Sequence, residues 1–229
     1  MIISIHQPQY LPWLGYFDKI DRCDKFVLLD DVQFKKNEWQ NRNRIKTAQG
    51  ACWITVPVLH NFGQKINEVC ADSRVDWCRK HLHSIETNYS RAAHFKRYSG
   101  LFTDAYSRKW EGLCDVNVFF IEGLVKALGI DTPMVKSSGL NTAGGKTDRL
   151  ISICRELSAD TYLSGEGARD YIELDKFEKE GIKVVFQGFR HPSYPQLCGD
   201  FLSHLSVADL LFNCGPDSLN IIRSREPEE

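Results

Sequence analysis

The chain has 229 residues, a length that suits one large α/β domain with a substantial core. Its 29 lysines and arginines are balanced by 30 aspartates and glutamates. Dedicated nucleic-acid-binding proteins carry a basic surplus, so we predict no nucleic-acid partner, although a few cations in one cleft would still suit an anionic small ligand.

The hydrophobic segments are too short for a membrane protein. No apolar run approaches the ~20 residues that span a bilayer, and the longest, at 116–125, is interrupted by Asn117, Glu122 and Gly123. The first six residues, MIISIH, lack the basic segment of a secretory signal and predict a strand instead. We therefore expect a cytoplasmic protein with no membrane span.

Eight cysteines are spread singly along the chain. None shares the C-x-x-C spacing that is typical of structural zinc sites, and the reducing cytoplasm disfavours disulfides. We predict free, mostly buried thiols that pack as small hydrophobic groups, and no metal site. The cysteines stand at positions 23, 52, 70, 78, 114, 154, 198 and 214.

The first third of the chain predicts short strands and one helix. The strands cover 2–5, 25–31 and 51–58, and the helix covers 16–22. The second strand contains the continuous apolar run Phe-Val-Leu-Leu, which is typical of a strand covered on both faces.

The middle third predicts helices at 76–89, 92–106 and 115–128. In the first of them, aromatic and apolar residues recur every four positions and form one face. Gly129 is well placed to cap the last helix.

The final third returns to alternating strands and helices. Strands are predicted at 134–138 and 182–187, and an amphipathic helix is predicted at 147–157. Residues 161–171 indicate a short strand, a glycine turn and the start of a helix. Strands separated by helices indicate parallel βαβ units.

We therefore predict an α/β fold with a mostly parallel sheet flanked by helices. The chain is expected to form a single domain over 1–229, with an inserted helical segment at about 76–130. Only the tail at 223–229 is predicted to be frayed.

The loop after the first strand is the most unusual part of the sequence. Ligands of open α/β sheets collect outside the carboxyl ends of strands, and His6 occupies such a position, so we predict that it is catalytic. Gln7, Gln9, Tyr10 and Trp13 offer hydrogen bonds and stacking surfaces to a substrate. The alternative is a rigid loop whose aromatic side chains only plug the end of the sheet.

Two carboxylates, Asp30 and Asp31, follow the second strand. Such a pair could hold a divalent cation, accept a sugar hydroxyl or act as a base. Adjacent residues of a strand point to opposite faces, so we favour Asp30 alone as the second catalytic residue. The alternative is that Asp30 caps the following turn. Gln33 is included among the predicted substrate-binding residues.

The segment 35–46 is dense in hydrogen-bond donors, and we expect it to be a loop. Arg42 and Lys46 could clamp a phosphate or pyrophosphate, and the neighbouring asparagines could bind sugar hydroxyls. The alternatives are a solvated turn with ordinary surface charge and a nucleic-acid patch, which the neutral total charge argues against. The predicted substrate-binding residues here are Lys35, Asn41, Arg42, Asn43 and Lys46.

A glycine-rich turn follows the strand that starts at 161. Its backbone N–H groups and the helix start could attract an anion, but the turn matches neither the P-loop nor the dinucleotide fingerprint. Simple turn geometry is the alternative. A later loop contains a histidine that can titrate near neutral pH. The substrate-binding residues predicted in these two places are Ser164, Gly165, Gly167, Arg169 and His191.

Five segments together resemble the WbqC-like family. The matches run nearly end to end, and the first two are the most specific. The resemblance implies a role in making O-antigen or related bacterial glycans, and it implies no catalytic residue. The segments are HQPQYLPWLGYFDKI at 6–20, DDVQFKKNEWQNRNRIK at 30–46, WITVPV at 53–58, YLSGEGARDY at 162–171 and DLLFNCGP at 209–216.

Three functions remain open at this point. The first is an enzyme of bacterial surface-polysaccharide biosynthesis that transfers a group onto a nucleotide-linked amino sugar. The second is an ATP-dependent nucleotidyltransferase or amide-forming ligase, although the H-x-G-H motif of similar nucleotidyltransferases is absent. It is suggested by His6, Arg42, Lys46 and Lys146. The third is a non-catalytic subunit. Each would bind a nucleotide-linked sugar or another phosphorylated small molecule, and the residues indicate no particular cofactor.

Overall fold

The computed structural model describes residues 1–224, and its centre is a parallel sheet. The strands in this part of the chain are β1 (Ile2–His6), β2 (Lys25–Leu28), β3 (Arg42–Thr47), β4 (Gly50–Thr55), β5 (Val58–Leu59), β6 (Cys70–Ala71), β7 (Met134–Lys136), β8 (Thr161–Ser164) and β9 (Lys183–Phe186). The α-helices are α1 (Leu14–Asp21), α2 (Trp77–Tyr89), α3 (Phe95–Ser107), α4 (Leu113–Leu128), α5 (Lys146–Glu156), α6 (Leu174–Lys179), α7 (Val207–Cys214) and α8 (Ser218–Arg223).

Five of the strands form one sheet in the order β7-β2-β1-β8-β9, and every neighbouring pair is parallel. The predicted mostly parallel α/β fold is therefore confirmed. Because the strands all run the same way, their carboxyl ends lie along one side of the sheet, which we call the carboxyl edge.

Both faces of the sheet are apolar, which explains the continuous hydrophobic runs in the sequence. Ile3 and Ile5 of β1 belong to a core cluster that also contains Ile153 of α5 and Phe177 of α6. On the other face, Phe26 of β2 belongs to the larger cluster formed with α1 and the remaining helices. Burying each such side chain stabilises the fold by roughly 1.5–3 kcal/mol.

The three helices predicted in the middle third correspond to α2, α3 and α4. Gly129 ends α4 with a φ of 77°, the left-handed conformation that favours glycine. Helices α3, α4 and α7 meet in an aromatic cluster, where the ring centroid of Phe102 lies 5.0 Å from that of Phe212 and 5.7 Å from that of Phe120. None of the helices in residues 1–224 has the length and apolar character needed to cross a membrane.

The segment 35–46 is not the loop that the sequence predicts. Arg42, Asn43 and Lys46 lie on β3, which pairs with β4 in an antiparallel hairpin. The strand was missed because its buried positions hold Asn43 and Lys46 as well as Ile45. Apolar and polar residues therefore do not alternate along it, and the usual signal of a strand is lost.

A longer inserted region encloses the helical segment that the sequence predicts. It occupies 29–133, between the neighbouring strands β2 and β7, and it contains the β3-β4 hairpin and the β5-β6 pair as well as α2, α3 and α4. The sequence also missed α6, α7 and α8, whose six to eight residues offer too few turns to show a period. Of the tail predicted to be frayed, 225–229 lies outside the described residues, whereas Arg223 belongs to α8 and pairs with Asp21 at 2.7 Å.

The cysteine prediction holds in part. Cys23, Cys114 and Cys154 are buried, and burial raises the pKa of each thiol to about 12, so these three stay protonated at neutral pH. The cysteines at 52, 70 and 198 are exposed, which contradicts the expectation that most would be buried.

Buried amide side chains hold the loop that follows β1. The Nδ2 group of Asn43 donates hydrogen bonds to the carbonyls of Leu11 at 2.6 Å and Tyr10 at 3.3 Å. From the other side, Asn117 of α4 donates to the carbonyl of Pro8 at 3.2 Å. Because an unpaired buried carbonyl costs about 1–3 kcal/mol, these bonds allow an irregular loop to be buried.

Asn43→Ala should lower the free energy of unfolding by about 2–4 kcal/mol, since it leaves two buried carbonyls unpaired and removes packed atoms. Denaturant unfolding measures this loss. Asn67→Ala is the matched control, because Asn67 is exposed and should change stability by less than about 0.5 kcal/mol. Equal, small losses in both variants would show that Asn43 does not hold the loop.

Candidate functional site

The strand order places a topological switch point between β1 and β8. From β1 the chain continues to β2 on one side, and from β8 it continues to β9 on the other, so the connections diverge at this point. In open α/β sheets the ligand crevice usually lies where the connections diverge in this way. His6 ends β1 and Ser164 ends β8, and the two strands are tied by a 2.8 Å hydrogen bond from Ser4 Oγ to the carbonyl of Leu163. The fold therefore brings together two of the segments that the sequence predicts to bind substrate.

His6 is held as a neutral hydrogen-bond acceptor. Its Nδ1 atom lies 3.0 Å from the carbonyl of Gln7, which can only accept, so the proton belongs on Nδ1 and Nε2 is left as an acceptor. The ring packs edge-on against Tyr16, with centroids 4.9 Å apart. Burial, followed by the positive charge of Lys19, lowers the pKa of His6 to about 3. His6 is therefore a weak base.

Lys19 of α1 completes this group, and the sequence analysis missed it. The side chain is only 3% exposed, yet its amine forms no ion pair or hydrogen bond with any residue of 1–224. A Cβ atom placed on Gly165 would lie 3.7 Å from Nζ, so the amine reaches the turn after β8. Burial lowers the pKa of Lys19 to about 7. The available signal was a lysine in a short helix whose residues are otherwise mostly apolar.

The adjacent carboxylate, Asp18, offsets only part of the effect of burial on Lys19. Asp18 is itself buried and pairs with Arg22, whose Nη1 lies 3.2 Å away. Its Oδ2 atom also accepts a 2.7 Å hydrogen bond from Nε2 of Gln187. The charge of Asp18 raises the pKa of Lys19, but burial lowers that pKa by more, and Asp18 forms no ion pair with Lys19 among the described residues.

Asp30 and Asp31 anchor the end of β2 to the loop after β7. Asp30 is 1% exposed and accepts hydrogen bonds from the backbone N–H of Ser138 at 3.0 Å and from its hydroxyl at 2.7 Å. Asp31 pairs with Arg149 of α5 and accepts a 2.5 Å hydrogen bond from the hydroxyl of Ser137. A catalytic role for Asp30 stays a prediction, and the contacts seen here are those of a structural anchor.

The two cations predicted to bind phosphate contact other parts of the protein. The guanidinium of Arg42 lies 4.3 Å from the ring centroid of Trp53 on β4, and its Nε atom is buried without a hydrogen-bond partner in residues 1–224. The amine of Lys46 is buried and donates to Oε1 of Gln196 at 2.9 Å and to the carbonyl of Asp200 at 2.5 Å. Phosphate binding by this pair stays a prediction.

Several polar residues of the predicted site are buried within the protein. The hydroxyl of Tyr10 lies 2.8 Å from Nδ1 of His81 and 2.6 Å from the hydroxyl of Tyr106, and its side chain is fully buried. Asn41 donates to a carbonyl of the chain at 3.0 Å. Gln9 is buried, and its Oε1 has no partner in residues 1–224. Substrate binding by these three residues stays a prediction.

Trp13 and His191, far apart in the sequence, lie in one aromatic cluster. The Trp13 ring stacks at 6.3 Å on His191 and at 5.3 Å on His204. Nδ1 of His191 donates to the carbonyl of Pro192, and its Nε2 accepts the backbone N–H of His204 at 3.1 Å. Both ring nitrogens of His191 are thus occupied, and burial lowers its pKa.

The remaining predicted residues lie on or near the surface. Gln33 and Lys35 are exposed, and Gln7 is partly buried with its Oε1 accepting a 2.8 Å hydrogen bond from Gln40. Gly167 lies in the short turn after β8. Arg169 pairs with Glu166 at 2.5 Å within the same turn.

Lys19→Met should stabilise the protein by about 2–4 kcal/mol near pH 7, because it removes an unpaired buried charge. The pKa of Lys19 is about 7 in the folded state against 10.5 for an ordinary lysine. Between these values the unfolded chain binds the extra proton, so the stability of the wild type rises with pH. The gain from Lys19→Met should therefore shrink as the pH rises from 7 to 10.

Urea unfolding at several pH values measures this trend. Lys183→Met is the control, because Lys183 is exposed at the opposite end of the sheet, where β9 begins. A loss of stability in Lys19→Met, or a gain that does not depend on pH, would show that the amine is not buried and unpaired as described.

Comparison with known proteins identifies the family to which the chain belongs. The model of the WbqC-like protein family matches residues 7–221. An uncharacterized protein of Mycobacterium tuberculosis is 39% identical over 227 residues, which cover 96% of this chain and 97% of that protein. No solved structure matches the chain significantly. Because the family match extends from the loop after β1 to α8, the chain belongs to the WbqC-like protein family.

Proposed function

We propose that the protein is an enzyme of bacterial surface-polysaccharide biosynthesis that binds a nucleotide-linked sugar in the crevice between the ends of β1 and β8. The observation that carries the proposal is the arrangement at this switch point, where His6, the turn at Gly165 and the unpaired amine of Lys19 meet. A crevice at a switch point is the usual ligand site of an open α/β sheet. The assignment to polysaccharide synthesis rests on the family resemblance.

The chemistry that we propose is transfer of a group onto an amine or hydroxyl of the sugar. A negatively charged ligand would offset the charge of Lys19, which is one of the causes that keep the pKa of His6 low. His6 would then become a stronger base when the substrate is bound. Its Nε2 atom would accept the proton that the sugar amine or hydroxyl loses as it attacks the donor, and the leaving group would depart with the electron pair of the broken bond.

A non-catalytic sugar-nucleotide-binding subunit is the second candidate. It is favoured by the acids of the carboxyl edge, because Asp30 and Asp31 are occupied by the serines after β7 and by Arg149. A subunit that only binds would need the crevice but no free acid or base. Turnover by His6 variants separates the two candidates.

A thermal-shift panel of nucleotide sugars, with ATP and magnesium as a separate arm, tests the binding step. A true ligand at ~100 times its Kd should add about 2.7 kcal/mol to the free energy of unfolding. Stabilisation by ATP and magnesium alone would favour the nucleotidyltransferase or ligase instead, and no stabilisation by any nucleotide sugar would contradict the proposal.

His6→Asn tests the catalytic step, because an asparagine amide can still donate toward the carbonyl of Gln7 but offers no basic ring nitrogen. With a ligand from the panel and candidate group donors, mass spectrometry of the products should show a turnover rate about 10²–10⁴ times lower than that of the wild type. Binding of the sugar should change little. His83→Asn, at an exposed position of α2, is the matched control. Binding without turnover by the wild type would support the non-catalytic subunit.

A further inference from the structure

We propose that the ammonium group of Lys19 is the anion-binding group of this crevice, and that it takes up a phosphate oxygen of the ligand. The inference deepens the proposed function, because it assigns the phosphate end of a nucleotide-linked ligand to a residue that the sequence analysis did not consider. It moves the phosphate away from Arg42 and Lys46 on β3, where the sequence predicts it.

The burial of Lys19 is the first argument. A charged side chain is almost never fully buried unless it is paired, since taking a charge out of water costs several kcal/mol. Lys19 is 3% exposed and has no partner in residues 1–224. An ammonium group in this position would be stabilised by a negative charge, and an anionic ligand would supply one.

The position of the amine is the second argument. Lys19 belongs to α1, the helix that follows β1, and its Nζ approaches Gly165 directly after β8. It is thus between the two strands that flank the switch point. The only atom that a Cβ on Gly165 would meet within 4 Å in the described chain is Nζ of Lys19, which leaves room beside the amine at this glycine.

The groups around Lys19 are neutral or are already paired with a positive charge. From β1, His6 is neutral. After α1, the Cys23 thiol is protonated because burial raises its pKa to about 12. On α1 itself, the Tyr16 ring lies 6.0 Å from Nζ, and Asp18 is paired with Arg22.

The nearby carboxylate on the β8 side also has partners. The carboxylate of Glu166 is bound by Arg169 and by the backbone N–H of Gly188. The local balance is therefore positive.

The cations on β3 are less suited to the same task. Lys46 donates to two oxygen atoms of the protein, so an anion would have to displace them. Arg42 is stacked on Trp53. Of the two buried lysines, Lys19 is the one that an anion can bind without displacing a hydrogen bond among the described residues.

Anion binding at Lys19 should be linked to proton uptake. Burial lowers the pKa of the free amine to about 7, so at pH 8 most molecules carry a neutral Lys19. An anion prefers the ammonium form and should raise this pKa. Binding should therefore take up a proton and weaken as the pH rises above 7.

Sulfate is the probe of choice, because it resembles a phosphate group and does not itself titrate between pH 6 and 10. The measurement is a pH titration by NMR of protein whose lysines carry 13C, with the Lys19 signal identified by its loss in Lys19→Met. We expect a midpoint near 7 that rises by at least about one pH unit at saturating sulfate, which corresponds to tenfold tighter binding by the charged form. Sodium chloride at equal ionic strength is the salt control.

Gly165→Ala is the second variant. Gly165 has a φ of −75°, which alanine adopts easily, and the new methyl group would contact Nζ of Lys19. The variant should fold normally and show a smaller effect of sulfate on the Lys19 midpoint. Lys183→Met should respond as the wild type does.

Three results would overturn the inference: a Lys19 midpoint that ignores sulfate, an equal shift with sodium chloride, or loss of the sulfate effect in Arg42→Ala but not in Gly165→Ala. The outcome is separable from that of the proposed function. If nucleotide sugars bind but sulfate leaves Lys19 unchanged, the inference fails and the function stands. If sulfate acts on Lys19 and no nucleotide sugar binds, the function fails and the anion site stands.

Discussion

The need to satisfy buried backbone carbonyls in the loop after β1 is the constraint on which the rest of the structure depends. This loop leaves the centre of the sheet and is buried almost at once, without the regular hydrogen bonds of a helix or strand. Asn43 from the hairpin and Asn117 from α4 supply the missing donors. The same bonds join the sheet, the hairpin and the helical region, because each amide belongs to a different element. Fixing the loop also fixes the direction in which α1 begins, and α1 carries Lys19.

This arrangement gives a physical meaning to the most specific segments of the sequence. Two amides of the second segment, those of Gln40 and Asn43, donate hydrogen bonds to the first segment. Gln40, for example, donates to Gln7 through its side chain and accepts the backbone N–H of Lys35. Asparagine and glutamine can bind a sugar at the surface or hold a buried loop, and the sequence alone does not distinguish these two roles. Only their burial separates them, and burial depends on contacts between distant parts of the chain.

The sheet and the long helices could be predicted because their signals are local. Apolar runs placed β1, β2, β8 and β9, and a period of four placed α2. The strand β3 could not be predicted in this way, since Asn43 and Lys46 occupy its inner positions. In the candidate site, His6 and Gly165 were found from their places after strands. Lys19 was missed because its importance lies in the absence of a partner, which no single segment can show. The proximity of Trp13 to His191 was equally out of reach for local patterns.

The electrostatics of the carboxyl edge are asymmetric. Asp30 and Asp31 are bound by Ser138 and Arg149 of other segments, and Asp18 pairs with Arg22 at the end of its own helix and accepts a hydrogen bond from Gln187. These carboxylates connect segments of the fold, and their negative charges are balanced by their partners within the protein. Lys19 differs from them, since its burial destabilises the folded state instead of supporting it. The anion site proposed for Lys19 would therefore come at a cost in stability.

The central place of β1 also has a consequence for the way the chain is made. Ser4 and Leu163, which join the two halves of the sheet, are 159 residues apart. At the usual 5–20 residues per second, roughly 10–30 s of synthesis separate the two strands. During that time β1 can pair with β2, but its other edge is an open row of backbone donors and acceptors, the kind of edge to which foreign strands add. The crevice is therefore among the last features to exist on the ribosome, and a nascent chain that stops before β8 presents an unfinished sheet to the chaperones around it.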